Sequence, residues 1–173
     1  LKPGGVAVIH ADLGPSSILR RAAEAAQADI IEFGEAADAY RLITARMVDD
    51  KTIVEADLEG EPVVFKIMSA GRHFAMTGLG VLGVVKALGA DTGLAAVALA
   101  GWMPFRGRGV REVIALDPVE EDMTLQLYDD SYNANPTSMG AALDVLAAAN
   151  VIHDIGRVSK GRRIAYLGDM KEL

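Results

Sequence analysis

Cysteine is absent from the 173 residues. A disulfide framework and a thiolate metal site are both excluded. Aromatic residues are scarce at 5%, and basic residues are outnumbered, with 17 Lys and Arg against 24 Asp and Glu. The net charge is -7. A general nucleic-acid binder needs clustered Lys and Arg against phosphates, so this balance argues against one. It leaves room for a nucleotide pocket, which needs only a few local donors. A membrane-spanning run is also missing. The longest apolar stretch, Phe74 to Val85, stops at Lys86, well short of the roughly 20 residues that cross a bilayer. It reads as a buried helix. The start, Leu1-Lys2-Pro3-Gly4-Gly5, has neither an initiator Met nor a basic region followed by an apolar run. A chain that begins within a longer protein, without a secretory leader, is expected.

Hydrophobic residues make up 51% of the chain and charged residues 24%. That supports a sizeable core rather than disorder. Val6 to Ile9 reads as a buried strand after a Pro-Gly-Gly turn. Ser16 or Ser17 can cap a helix through to Gln27. Ile30 to Phe33 reads as the next strand. Strand, helix, strand at this spacing predicts a parallel α/β sheet. Arg41 to Val48, Thr52 to Leu58 and Pro62 to Ile67 are separated by short polar breaks and predict an antiparallel meander. In the first of them Ile43, Ala45 and Met47 are expected on one face.

Two Ala- and Gly-rich helices are predicted over Phe74 to Leu88 and Thr92 to Gly101. Gly78, Gly80 and Gly83 each weaken the first by roughly 1 kcal/mol relative to Ala. Such a helix needs a closely packed neighbour. Trp102 to Arg111 reads as a loop rich in Pro, Gly and Arg. Met123 to Tyr128 reads as a strand with Met123, Leu125 and Leu127 on one face. A helix from Pro136 through Leu146 follows, then a polar connection from Asn150 to Gly161. Ile164 to Leu167 is predicted to be a last strand. A domain boundary is expected near Asp129 to Tyr132.

Several groups can carry chemistry, each with a plain structural role beside it. Asp129 and Asp130 end a strand, where open α/β sheets bind ligands. A carboxylate there can accept hydrogen bonds from two ribose hydroxyls. Asn135 and Pro136 equally suit a helix N-cap and first helical position. Arg108, flanked by Gly107 and Gly109, can reach phosphate or ribose oxygens, or simply face solvent. His73 precedes the apolar helix, where backbone N–H groups are free for a ligand, or it caps that helix. Asp169 with Glu172 resembles a capping box. There is no G-x-x-x-x-G-K-[ST] loop to cradle triphosphate. The three histidines, His10, His73 and His153, are far apart in sequence. No residue reads as a catalyst and none as a metal ligand.

The order of these features is more telling than any one of them. Gly71-Arg72-His73 stands before an Ala/Gly-rich helix, and Gly107-Arg108 follows. Asp129-Asp130-Ser131-Tyr132-Asn133-Ala134-Asn135-Pro136 comes next, with Ser138-Met139 and Ala141-Ala142-Leu143. Gly168-Asp169-Met170-Lys171-Glu172-Leu173 closes the series, and Gly4-Gly5-Val6-Ala7-Val8 with Asp12 opens it. This set resembles the Mur ligase family, in its MurF-type branch that adds D-alanyl-D-alanine to UDP-N-acetylmuramoyl-tripeptide.

The resemblance implies an α/β fold in two parts. Residues 1–128 would be the second half of a P-loop-type central ATP-binding domain, with the antiparallel meander. Residues 129–173 would begin a Rossmann-like C-terminal domain. It implies a cytoplasmic, monomeric amide ligase of peptidoglycan synthesis, using ATP and Mg2+ through an acyl phosphate. The P-loop, the metal ligands and the sugar-binding domain would lie outside this chain, leaving it inactive alone. Asp130 matches the ribose-holding Asp, and Arg108 the Arg beside ribose and phosphate. Asn133 and Asn135 match residues bordering the nucleotide and the hinge. His73 and Thr77 match a His-Asn-x-x-Asn element whose last Asn contacts adenine. Thr77 replaces that amide and lacks its paired donor and acceptor. His10 stands where an Asn is usual. Asp169 matches a strand-end residue near the incoming amine. The alternatives are a non-catalytic nucleotide-binding or interaction module derived from such a ligase, and a folylpolyglutamate synthase-like enzyme. The Tyr132-Asn133-Ala134-Asn135 element argues against the latter.

Overall fold

A computed structural model describes residues 2–155 and 159–170. Five strands form one continuous sheet in the order β1-β2-β3-β4-β5. β1 (Val6–His10) and β2 (Asp29–Gly34) are parallel and joined through α1 (Ser16–Ala25). β2 runs parallel to β3 (Tyr40–Val48), with a short register. β3, β4 (Lys51–Leu58) and β5 (Glu61–Ile67) then form the antiparallel meander. The parallel start and the meander are therefore one sheet.

α2 (Arg72–Ala87) crosses one face of this sheet, and α1 packs on β1 and β2. Alternation within β1 serves both sides. Ala7 and Ile9 cluster with Ala23 of α1, while Val8 faces α2. The larger core joins Tyr40, Leu42, Val54, Phe65 and Ile67 of the meander to Leu79 and Leu82 of α2 and Ala96 of α3 (Thr92–Leu99). The expected close approach of the α2 glycines is present. A methyl on Gly78 would lie 3.0 Å from Ile67, on Gly80 3.0 Å from Phe33, and on Gly83 3.0 Å from Val8. The sheet packs where side chains would otherwise stand, which offsets the low helix propensity.

Two local expectations change. Ser16 is not a cap. It lies inside α1, buried, and its hydroxyl donates to the carbonyls of His10 (2.5 Å) and Leu13 (2.6 Å), while Pro15 holds the cap position. A serine enclosed at a turn satisfies itself on the nearest carbonyls rather than on the helix N–H groups. In β3 a bulge falls between Leu42 and Thr44, leaving Ile43 outside the pairing and 52% exposed. An extra residue reverses the side-chain phase of the strand. Leu42 before it and Ala45 after it therefore face the core, and Ile43 does not.

The chain beyond α3 forms a second, smaller sheet. β6 (Val110–Ala115) pairs antiparallel with β7 (Thr124–Asp129). Arg111, expected in a loop, belongs to β6. Its sequence, with two charges in Val110-Arg111-Glu112-Val113, gives no clean alternation, and the strand exists because β7 pairs with it. Leu125 and Leu127 do share a face of β7, but that face is open, at 46% and 40% exposure. α4 (Pro136–Ala148) follows and buries no residue fully. Its start is a capping box. Asn135 Oδ1 accepts from the Ser138 N–H (2.9 Å), and Ser138 Oγ accepts from the Asn135 N–H (3.0 Å). Asn135→Ala should lower the stability of this segment by about 1 kcal/mol. Faster amide hydrogen exchange confined to the first turn of α4 is the readout.

Ile164 to Leu167 is not a strand. Ile164 is 72% exposed and Tyr166 99% exposed. A strand is stabilised by a neighbour's ladder, and among the described residues none pairs with this one. Glu172, the partner for Asp169 in the expected capping box, lies outside the described residues.

Candidate nucleotide-binding site

The two acidic residues at the end of β7 have opposite roles. Asp129 is tied into the backbone. Its Oδ2 accepts from the Gly107 N–H (3.1 Å), and its Oδ1 accepts from the Ser131 N–H (3.2 Å) and hydroxyl (2.6 Å). The Ser131 hydroxyl, with the backbone N–H groups of Ser131 and Gly107, holds the Asp129 carboxyl below the usual carboxylate range. Asp130 has no such partner among the described residues. Crowding that displaces water pushes its carboxyl up, against the pull of nearby His73 and with the push of Asp129. It is the carboxylate with its lone pairs available.

The Gly107 to Gly109 loop is stitched beside it. Gly109 N–H donates to the Asp129 carbonyl (2.8 Å), and Tyr132 N–H donates to the Gly107 carbonyl (3.0 Å). Both glycines have positive φ, +79° and +87°. The turn needs that conformation, and it holds the chain tightly against Tyr132. Arg108, between them, lies with its guanidinium carbon 4.2 Å from the Tyr132 ring centroid. Stacking fixes the plane of the cation while leaving its edge for an anion.

The third wall is the start of α2. Thr52, fully buried on β4, donates to the Ser69 carbonyl (2.8 Å) and accepts from the Gly71 N–H (2.9 Å). This hydroxyl sets the turn that launches the helix. Gly71 has φ +149°, and a methyl there would lie 2.5 Å from His73 Cε1. The His73 ring sits 4.0 Å from Phe74, which in turn contacts Trp102 at 5.4 Å. Displacement of water lowers the His73 pKa, with Asp130 opposing. His73 is thus neutral at pH 7 and offers one donor and one acceptor. Arg72 turns away, to an ion pair with Glu35.

The structure therefore gathers His73, Arg108 and Asp130 along one edge. Thr77 lies one helical turn beyond His73, and its hydroxyl donates to the His73 carbonyl (3.0 Å). Only its acceptor capacity is left for a ligand. Asn135 is engaged as the helix cap. Asn133 is exposed in the segment before it, and Asp169 is exposed in the irregular stretch near the end. Asp12 has a bracing role instead. Its carboxylate accepts from the Glu35 and Ala36 N–H groups at 2.8 Å each, tying the end of β1 to the end of β2. Partial burial opposes its ionisation, yet those two N–H groups keep its pKa below the usual value.

Tyr132, Phe74 and Thr52 were not picked out by sequence reasoning. Tyr132 was visible within the motif. Nothing in the sequence marks Thr52, whose role comes from strand pairing.

A free carboxylate, a stacked guanidinium and a neutral imidazole suit a diol with an anionic neighbour. They do not form a nucleophile–base pair. Among the described residues no group of three or more His, Asp or Glu is placed to hold a metal ion. The donor set here does not fit Mg2+, and it fits the ribose side of a nucleotide.

No protein-family model matches the chain. The chain is 33% identical over 149 residues to the UDP-N-acetylmuramate–L-alanine ligase of Streptomyces avermitilis, covering 84% of this chain and 30% of that protein. The same enzyme of Streptomyces coelicolor is 32% identical over 85% of this chain and 30% of its own. Among solved structures, MurF from Acinetobacter baumannii superposes with a TM-score of 0.74 at 26% identity, over 92% of this chain and 34% of that one. MurF ligase from Thermotoga maritima in complex with ADP has the same fold, with a TM-score of 0.64 at 19% identity over 84% of this chain and 31% of that one. The five-stranded and two-stranded sheets are those of Mur ligase domains. The chain is thus a relative of the Mur ligases, and it spans about a third of their length.

Proposed function

We propose that this chain carries the ribose side of the nucleotide site of a MurF-type ligase. The observation that carries the reading is the division of labour at the end of β7. Asp129 is consumed in holding the loop, and Asp130 is left open, close enough to His73 to feel its charge. Asp130 would accept from ribose hydroxyls and Arg108 would meet phosphate or ribose oxygens. Thr77 would border adenine through its remaining acceptor. Asn133 and Asn135 would border the nucleotide and the hinge, and Asp169 the incoming amine. The reaction would be ATP-dependent joining of D-alanyl-D-alanine to UDP-N-acetylmuramoyl-tripeptide through an acyl phosphate, with Mg2+, in the cytoplasm of a peptidoglycan-making cell. No described helix is long and apolar enough to cross a membrane.

Residues 1–128 would be the later part of the central domain and 129–173 the start of the C-terminal one. Both strands of the β6–β7 sheet would then fall before that join, except for Asp129, the last residue of β7.

The sequence relatives favour a second reading, an enzyme adding L-alanine to UDP-N-acetylmuramate. The structural likeness leans the other way. The UDP-N-acetylmuramate-alanine ligase of Thermotoga maritima superposes with a TM-score of only 0.55, against 0.74 for Acinetobacter baumannii MurF. A chimera decides between them. This chain would replace the matching third of Acinetobacter baumannii MurF. Retained ligation of D-alanyl-D-alanine is the expected result, and a switch to L-alanine would overturn the MurF-type reading.

ADP titration of the 173-residue chain tests the site itself, with saturable binding expected. The same chain should release no ADP from ATP, because it lacks a phosphate-cradling P-loop. Substrate-dependent ADP release would refute that.

A further inference from the structure

Beside Asp130 stands an aromatic wall that plays no part in the ribose contacts. A methyl built on Gly109 would lie 3.5 Å from Phe74 Cζ and 3.9 Å from Asp130 Oδ1, so the Phe74 ring and that carboxylate flank the same point of the loop. Two more rings extend the wall. His73 lies 4.0 Å from Phe74 between ring centroids, and Trp102 lies 5.4 Å from it. The Trp102 N–H donates to the Leu99 carbonyl (3.2 Å) at the end of α3, yet the residue stands exposed. One stretch of chain thus carries Trp102 at its start and Arg108, stacked on Tyr132, near its end. A nucleotide has the matching polarity of base, ribose and phosphate. With ribose at Asp130 and phosphate drawn to Arg108, the base falls on the wall.

What the wall lacks decides what it can read. Bases are told apart by a donor and an acceptor placed together, as on an Asn or Gln amide. Asn135 is spent as the α4 cap. Thr77, one turn along α2 from His73, gives its hydroxyl proton to the His73 carbonyl and keeps only lone pairs. Lone pairs accept from the 6-amino group of adenine and equally from the N1–H or 2-amino group of guanine. The two ring nitrogens of His73 lie on separate edges, and Trp102 has a donor alone. Stacking, by contrast, holds any base, because each has a π-face, and it is stronger for the larger purines. We propose, resting on the ribose role of Asp130, that this site takes purine nucleotides without distinguishing adenine from guanine. Trp102 is its base-stacking residue.

Trp102 is the only tryptophan, so its fluorescence reports on the wall directly. The 173-residue chain is titrated with ADP, GDP, CDP and ribose 5-phosphate. ADP and GDP should both quench the emission saturably, with dissociation constants within about threefold of each other and CDP about tenfold weaker. Ribose 5-phosphate, which has no base, should leave the emission unchanged. Trp102→Leu, read by calorimetry, should weaken ADP and GDP alike by about tenfold, and Trp102→Phe should restore most of the loss. Thermal melts establish that both variants fold. GDP weaker than ADP by about tenfold or more overturns the proposal, since that is the mark of a base edge being read. So does CDP binding as tight as ADP, or ADP binding that neither quenches Trp102 nor responds to Trp102→Leu. In each of those cases ADP still binds and the ribose reading stands. Should neither ADP nor GDP bind, the ribose reading fails and the base reading with it.

Discussion

Asp130→Ala is expected to weaken ADP binding roughly a hundredfold, through loss of two charge-assisted hydrogen bonds worth about 1.5–3 kcal/mol each before compensation. The fold should not suffer. Asp130 anchors nothing among the described residues, and its raised pKa means that the folded state resists its ionisation. A group whose pKa is raised on folding favours the fold at low pH, and that contribution is lost as pH rises through the folded value. At neutral pH Asp130→Asn should therefore melt at the same temperature as the parent or slightly higher, while binding ADP poorly. ADP binding by the parent should fall off on acidification sooner than an ordinary carboxylate, with a pKa of 3.8, would allow. Asp129→Ala is the contrasting case. It releases the Gly107 loop, so affinity and melting temperature should fall together. Calorimetric titration with parallel melts reads both, and equal affinity in Asp130→Ala would sink the ribose assignment.

Gly71→Ala should destabilise the chain by about 3 kcal/mol, since backbone strain alone costs of order 1–3 kcal/mol and a side-chain collision is added. The φ of +149° is one that side chains rarely adopt, and the new methyl would lie 2.5 Å from His73 and 3.2 Å from Phe74. Relief requires His73 to move or the turn held by Thr52 to open. Either outcome displaces the start of α2 from Asp130, so ADP affinity should drop along with stability. Urea denaturation measures the first effect. A variant as stable as the parent would show that the turn is not constrained as described. Its coupling to His73 can be followed by pH. The lowered His73 pKa means that the unfolded chain takes up the proton more readily, so the parent should lose stability as pH falls below the ordinary histidine value of 6.5.

Much of the architecture was legible because period and punctuation agree there. β1, β2 and the meander have apolar runs of strand length between short polar breaks. α2 carries an apolar run of helix length, and its glycines foretold a close neighbour. What was missed depends on contacts distant in sequence. Nothing in Val110 to Ala115 marks a strand, yet β7 makes it one. Ile164 to Leu167 has strand composition, but no described neighbour offers a ladder. Ile43 looked inward by alternation until a bulge shifted the phase. Ser16 looked like a cap until burial placed two carbonyls above it.

The candidate site divides in the same way. Order along the chain was enough to single out His73, Arg108 and Asp130, because the residue types and their motif are local properties. The capping role of Asn135 was equally local, since a cap involves residues three apart. Which of two adjacent aspartates stays open was not a local property. That was decided by a loop arriving from Gly107, whose N–H occupies Asp129 and leaves Asp130 to a ligand. The stacking of Arg108 on Tyr132 and the bracing of Gly71 by Thr52 are likewise products of tertiary structure. Sequence by itself determined the family resemblance and the inventory of chemical groups. Folding alone decided which of those groups satisfy one another and which remain available, because hydrogen-bond satisfaction depends on distance in space.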